Sequence, residues 1–196
     1  MKAMRLICLA AAAAIASPAA AQFPDSYNFL KAVRDSDAAK AKSYMDQPGS
    51  RIVDTRDPSN GDTALHIAVK RRDIPWINFL AIGGANLNVR DSQGNTPLAV
   101  AATLAFPDGI RVLATRDANV NLANSRGETP LILAVHRGDL ATVRTLVEYG
   151  ADPTIKDMIA GRSARDYAKE DRRLEPLLKA MEAAKTKPKA RAIGPF

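Results

Sequence analysis

Gly61-Asp62-Thr63-Ala64-Leu65 recurs as Gly94-Asn95-Thr96-Pro97-Leu98 and again as Gly127-Glu128-Thr129-Pro130-Leu131, each copy 33 residues after the one before. A period of this length marks a row of identical supersecondary units. Each is too small to bury its own apolar face, so the chain is expected to form a solenoid. Thr63, Thr96 and Thr129 stand where a hydroxyl can cap a helix on an unpaired backbone amide, and Pro97 and Pro130 follow where the first turn needs no donor. Leu65, Ala68 and Val69 then place one apolar face on a first helix. A polar turn at residues 70–73 leads into Trp76, Ile77, Phe79 and Leu80 on a second, antiparallel helix. Gly83-Gly84 ends that helix, and Gly150 does so in the third copy. The matching Asp117 tolerates the left-handed conformation less well, so the second copy should have the weaker helix end. The phrases at 85–88, 118–121 and 151–154 are built from turn-favouring residues and lead through a hairpin-like extension to the next Gly-x-Thr.

Gly-x-Thr-Pro-Leu, two short helices, then Gly-Ala-Asp/Asn-x-Asn resembles the ankyrin repeat. The resemblance implies an all-α ankyrin-repeat solenoid of helix-turn-helix units with hairpin-like loops, about five repeats counting two degenerate caps. Full repeats cover 61–93, 94–126 and 127–160. An opening cap at about 25–60 contains residues 27–33, and a closing cap at about 161–182 contains Gly161-Arg162-Ser163-Ala164, together making a domain over 22–182. The step from Gly127 to Gly161 is 34 residues, which implies one inserted residue in the last hairpin. The family's Thr-Pro-Leu-His keeps its histidine only at His66, where Ala99 and Ile132 stand in the other copies. His66 reads as a structural residue whose ring bonds nearby backbone and ties adjacent turns. Its loss in two copies, and the replacement of the usual tight turn at residues 105–109, make the second repeat the expected weak unit.

Residues 1–21 read as a cleaved signal peptide. Lys2 and Arg5 precede an apolar run at 6–15, and Ser17-Pro18-Ala19-Ala20-Ala21 supplies small residues at a cleavage point. The run meets Pro18 too early for a membrane span, which needs about 20 apolar residues. No transmembrane segment is expected after removal of the leader. The expected location is the periplasm, with full secretion as the alternative. Cys8, the single cysteine, lies inside the leader, so the mature chain has no disulfide, thiol nucleophile or thiolate metal site. The 28 basic residues less Lys2 and Arg5 leave 26 against 21 acidic, a net +5. Residues 183–196, with Lys185, Lys187, Lys189 and Arg191, read as a basic disordered tail.

In the arrays this sequence resembles, hairpin tips and first helices line a concave face. Transferred through the Gly-x-Thr anchors, that face receives Arg56, Gln93, Arg126 and Lys156 with Arg90 at the tips, and Lys70, Arg71, Leu104, His136 and Arg137 from first-helix ends. The basic members recur at equivalent places, so stacking would sum their fields toward an acidic protein surface. The expected function is therefore protein–protein interaction in the bacterial cell envelope, scaffolding or regulating a periplasmic partner, by a monomer without cofactor or metal. The alternative is an anionic envelope polymer or lipid headgroup. Catalysis finds little support: His66 and His136 lie in different repeats, and the chain has no HExxH, Gly-x-Ser-x-Gly or phosphate-binding loop. Nucleic acid is not expected either, because Phe29, Trp76, Phe79, Tyr149 and Tyr167 fall at helix or core positions instead of forming a stacking platform.

Overall fold

The first two helices already show the unit that the whole chain repeats. Asp25–Arg34 (α1) carries Phe29, Leu30, Ala32 and Val33 on its buried side. Ser36 turns back in the left-handed region, and Asp37 caps Ala38–Met45 (α2) by accepting from Lys40 N. The computed structural model describes residues 24–184. A 3-10 turn at Ile52–Asp54 leads to four further pairs. These are Ala64–Lys70 (α3) with Ile74–Ile82 (α4), Pro97–Thr103 (α5) with Pro107–Ala114 (α6), Pro130–Arg137 (α7) with Leu140–Glu148 (α8), and Ala164–Glu170 (α9) with Glu175–Ala184 (α10). The leader and most of the tail fall outside the described residues. Helix α10 runs to Ala184 and so takes the first two residues that the sequence reading assigned to the tail. Glu182, Ala183 and Ala184 all favour helix, so nothing stops it at 182.

Each helix packs on the partner in its own unit, and from the first repeat onward both helices also pack on their counterparts in the next unit. First helices α1, α3, α5, α7 and α9 pack in series, and second helices α4, α6, α8 and α10 do likewise, giving two layers. The core is therefore made of columns in which one position repeats along the row. Leu65, Leu98 and Leu131 form one column; Ile77, Ile110, Val143 and Leu177 form another; Leu80, Leu113 and Leu146 form a third, all buried. Ala68, Ala101, Ala134 and Ala168 keep the first helices close where a larger side chain would push them apart. Truncating a column leucine to alanine costs about 2–5 kcal/mol, because the neighbouring repeats cannot collapse into the gap independently.

Between units, the chain makes a narrow extension closed by one backbone bond. Asp57 N donates to Asp62 O, Asp91 N to Asn95 O, Asn124 N to Glu128 O and Asp157 N to Arg162 O, at 2.8–2.9 Å. The first and last of these span five residues and the middle two span four, so the residue inserted in the final copy sits in its tip, between Asp157 and Arg162. Successive tips are joined by Ser92 N to Asn60 O, Ser125 N to Gln93 O and Met158 N to Arg126 O, each 3.0 Å. This close approach explains the repeated glycine. Gly61, Gly94 and Gly127 have φ of 74°, 80° and 79°, and a Cβ there would stand 2.5–2.6 Å from the amide nitrogen of the next tip.

The Asn-x-Asn phrases do more than turn the chain. Asn86 Oδ1 accepts from Asn88 N, Asn119 Oδ1 from Asn121 N and Asp152 Oδ1 from Thr154 N, each 2.8–2.9 Å and within its own repeat. The residue at the other end of the phrase reaches forward. Asp54 accepts from Asn86 N, Asn88 from Asn119 N and Asn121 from Asp152 N, at 2.8–2.9 Å. A column of short polar side chains thus satisfies backbone amides across the first three seams.

Candidate interaction face

The tips and the exposed ends of the first helices lie on one side of the stack, and a repeating contact holds them together. The residue after each tip glycine faces the residue eight positions later, at the end of the first helix. Asp62 accepts from Lys70 Nζ at 2.6 and 2.8 Å, and Glu128 Oε1 lies 3.7 Å from His136 Nδ1. Arg162 donates to Glu170 at 2.6 Å, with the charges reversed, while the second repeat holds the uncharged pair Asn95 and Thr103 in that slot. Asp62 and Glu128 are only 4% and 5% exposed, so these carboxylates are turned into the stack. Lys70 and His136 are therefore drawn back toward the protein.

Two more of the expected contact residues are built into the seams. Arg71 donates to Val33 O at 2.7 Å, to Ser36 Oγ at 2.5 Å and to Asp73 at 2.9 Å, tying the opening cap to the first repeat. Arg90 donates to Gly94 O at 3.0 Å and to Ala123 O, tying the first hairpin extension to the second. A guanidinium presents five donors in a fixed fork, which suits it to bridging carbonyls of adjacent repeats. Leu104 is half-buried against the core and its carbonyl accepts from Arg72, whose guanidinium also lies 5.4 Å from the centroid of the Phe106 ring. Arg72 was not singled out in the sequence, although two arginines in one turn gave a signal.

Arg56, Gln93, Arg126, Arg137 and Lys156 remain exposed on this side. Arg126 also lies 3.3 Å from Glu128 with its own side chain 65% exposed. Beyond His136 the polar contacts run on into the last repeat. The His136 and Tyr167 rings meet edge to face at 4.4 Å, and Tyr167 Oη donates to Asp157 at 2.6 Å. Burial penalises the Asp157 carboxylate, yet Tyr167 and the amides of Ile159, Ala160 and Gly161 overcome the penalty and hold its pKa below the ordinary value of 3.8. Beside this network, an open cleft of about 610 Å³ separates Arg137 and Gly138 from Glu170, Asp171 and Leu174. Among the described residues, no three histidine or carboxylate side chains converge in a way that could hold a metal ion.

The structural residues occupy helix starts. Thr96 Oγ1 accepts from Ala99 N at 3.2 Å and Thr129 Oγ1 from Ile132 N at 3.3 Å, with Pro97 and Pro130 opening α5 and α7. Thr63 makes a reciprocal capping box with His66: Thr63 N donates to His66 Nδ1 at 3.2 Å. Nδ1 is thereby an acceptor, which leaves Nε2–H to donate to Asn95 O of the next repeat at 3.0 Å. The ring is fully buried, and burial lowers its pKa from 6.5, so it is neutral in the native stack.

A family model described as ankyrin repeats (3 copies) matches residues 20–124 and again 73–157, well over half of the chain. The chain belongs to the ankyrin-repeat family. Its fold is the helical solenoid of that family, a scaffold that typically serves as a non-enzymatic protein-interaction module. No curated protein matches the chain. Among the described residues, no helix of this ankyrin-repeat protein is long and apolar enough to cross a membrane. The face also contains two residues that the sequence reading passed over. Met158 and Ile159, in the last tip, are 79% and 67% exposed, in places where the internal tips carry Ser92 with Gln93 and Ser125 with Arg126.

Proposed function

We propose that this chain is an interaction protein of the bacterial cell envelope. In this reading it is exported, works as a periplasmic monomer, and scaffolds or regulates another envelope protein by capturing an acidic part of its surface, with no reaction of its own. The observation that carries the proposal is an asymmetry of exposure. Arg56, Arg126, Arg137 and Lys156 reach solvent on the tip side, while the neighbouring carboxylates of Asp62, Glu128 and Asp157 are 4–5% exposed and committed to internal partners. The outward field on that side is positive, and such a field sets encounter rate and orientation. Export is supported by the start of the sequence, where Lys2 and Arg5 precede an alanine-rich apolar run that ends in small residues.

The test is site-specific photocrosslinking in cells from positions 56 and 93, with the crosslinked species identified and compared between the native chain and an Arg126→Glu/Arg137→Glu variant. Both arginines are exposed, so charge reversal there leaves the core columns intact. A discrete protein crosslink that disappears in the variant supports the proposal. Crosslinks that are equally strong in the variant refute it. Complexes that collapse at moderate salt and contain no protein identify a polyanion instead, since counterion competition dominates such binding.

A further inference from the structure

The last tip departs from its predecessors in one respect that packing does not explain. At the internal tips Ser92 and Ser125 place small polar side chains against Gly61 and Gly94 of the preceding unit. Met158 keeps that backbone position, donating its amide to Arg126 O at 3.0 Å, but it brings a long thioether side chain, and Ile159 follows it outward. The base of the Met158 side chain lies against Gly127, yet Met158 and Ile159 remain 79% and 67% exposed. Ile159 also continues the row formed by Gln93 and Arg126, one residue per repeat. Along one line the surface therefore changes from amide to guanidinium to aliphatic.

The surroundings of these two side chains are cationic. Lys156 is exposed two residues before Met158, and Arg126 stands one repeat before Ile159 with its side chain 65% exposed although the buried Glu128 lies 3.3 Å away, while Arg162 on the returning segment is paired with Glu170 at 2.6 Å. The acidic residue of this tip, Asp157, is 5% exposed and its oxygens are occupied by three backbone amides and Tyr167. An apolar anchor within a cationic rim is the arrangement in which burial supplies affinity while charge selects the partner.

We infer that the Met158–Ile159 tip is the apolar anchor of the interaction face, and that it takes an extended segment of another protein bearing an aliphatic or aromatic side chain beside a carboxylate. The inference rests on the protein-binding reading above and specifies its partner. Its spacing follows from the stack. Adjacent repeats lie about one helix-packing distance apart, roughly 8–10 Å, and a segment extended in the polyproline II conformation advances about 3.1 Å per residue with three residues per turn, so every third side chain returns to the same face. A side chain seated on Ile159 thus places a carboxylate three positions away opposite Arg126.

The experiment is selection of phage-displayed random peptides on the purified protein, followed by affinity measurement with the synthetic winners. Enriched peptides should share an apolar residue three positions from Asp or Glu. Met158→Ser/Ile159→Ser should weaken them about tenfold or more, equivalent to about 1.4 kcal/mol. Arg126→Gln should weaken peptides that carry the carboxylate and leave their amide counterparts unchanged. All three side chains are exposed, and an unchanged melting curve for each variant verifies the fold. Winners that lack the spaced pair, winners whose affinity is unaffected by the serine variant, or no enrichment at all would each overturn the inference. The protein-binding reading stands or falls separately, on the crosslink and its sensitivity to Arg126→Glu/Arg137→Glu.

Discussion

Replacing Ala105 with glycine should stabilise the protein, although it removes a methyl group and touches no partner. Ala105 holds φ at 50° in the turn between α5 and α6, the place occupied by Gly138 at φ 72° in the following repeat. A side chain in the left-handed region costs about 1–2 kcal/mol, and the greater freedom of glycine in the unfolded chain returns about 0.5–1 kcal/mol. The expected net gain is about 0.5–1 kcal/mol. That corresponds to a rise in melting temperature of about 1–4 °C for a domain of this size. The converse change, Gly138→Ala, should lose a similar amount. A Cβ there would meet only Leu174 Cδ2 at 3.9 Å, so its effect reports backbone strain and nothing else.

The same comparison locates the weak unit. The second repeat also ends α6 with Asp117 at φ 65°, where the first and third use Gly84 and Gly150. In addition, the residue before α6 is Phe106, which offers no side-chain cap, where Asp73 and Asp139 cap α4 and α8. A missing cap costs about 1 kcal/mol. It cannot be restored by Phe106→Asp without losing a buried ring that packs beneath Gly109 and Arg72. Native-state hydrogen exchange should therefore find residues 95–120 less protected than 128–150, and Ala105→Gly should slow exchange in the former by about twofold to fivefold. Stronger protection of 95–120 in the native chain, or an Ala105→Gly variant that melts earlier, would refute the reasoning.

Three further outcomes follow from the seams. His66→Ala strands the Thr63 amide and removes the bond from the ring to Asn95 O, which keeps only Asp91 N, and should cost about 2–4 kcal/mol by denaturant titration. Because the native His66 pKa lies below 6.5, only the unfolded chain takes up the proton as pH falls through 6.5. Stability contributed by neutral His66 should decline from there down to its native pKa, and the variant should lack that part of the slope in chemical denaturation. Gly94→Ala should destabilise by more than about 2 kcal/mol, combining left-handed strain with a Cβ 2.6 Å from Ser125 N, whereas Gly84→Ala, at φ 85° in open space, should cost only about 1 kcal/mol. Arg71→Ala removes charge-assisted bonds worth about 1.5–3 kcal/mol between α1 and α3. It should speed exchange in residues 25–45 more than in residues 130–148.

The helix pairs were legible because they rest on local chemistry repeated at fixed spacing: a threonine before a leucine, a left-handed stop, an apolar column. The inserted residue of the last copy was legible for the same reason, since counting from Gly127 to Gly161 needs no structure. Arg71 and Arg90 were harder, because their acceptors are carbonyls of neighbouring repeats, at Val33 and Ala123, and a carbonyl has no side-chain signature. Asn88 and Asn121 illustrate the same limit. Each is a plausible turn residue by itself, and its forward bond to the next repeat appears only when two turns lie side by side. Met158 and Ile159 were readable in principle. Aligning the tips on Asp91, Asn124 and Asp157 sets Met-Ile beneath Ser-Gln and Ser-Arg, but attention to charge passed over two uncharged residues.

That distinction governs how the face should be perturbed. Recurrence at equivalent positions gathers Arg56, Lys70, Arg71, Arg90, Arg126, Arg137 and Lys156 into one set, yet a cation contributes to capture only in proportion to the field it still projects. Arg71 and Arg90 spend their donors on the seams, so reversing their charge would loosen the stack and reduce binding for a reason unrelated to contact. Lys70 is paired at 2.6 Å with Asp62, whose carboxylate is buried. Its reversal would set two acids against each other at the end of α3. Loss of capture in an Arg90→Glu variant would therefore be accompanied by a lower melting temperature, whereas loss in an Arg137→Glu variant would occur at unchanged stability. Measuring both quantities on both variants separates a contact from a staple, and equal destabilisation by the two substitutions would refute the assignment of Arg90 to the seam.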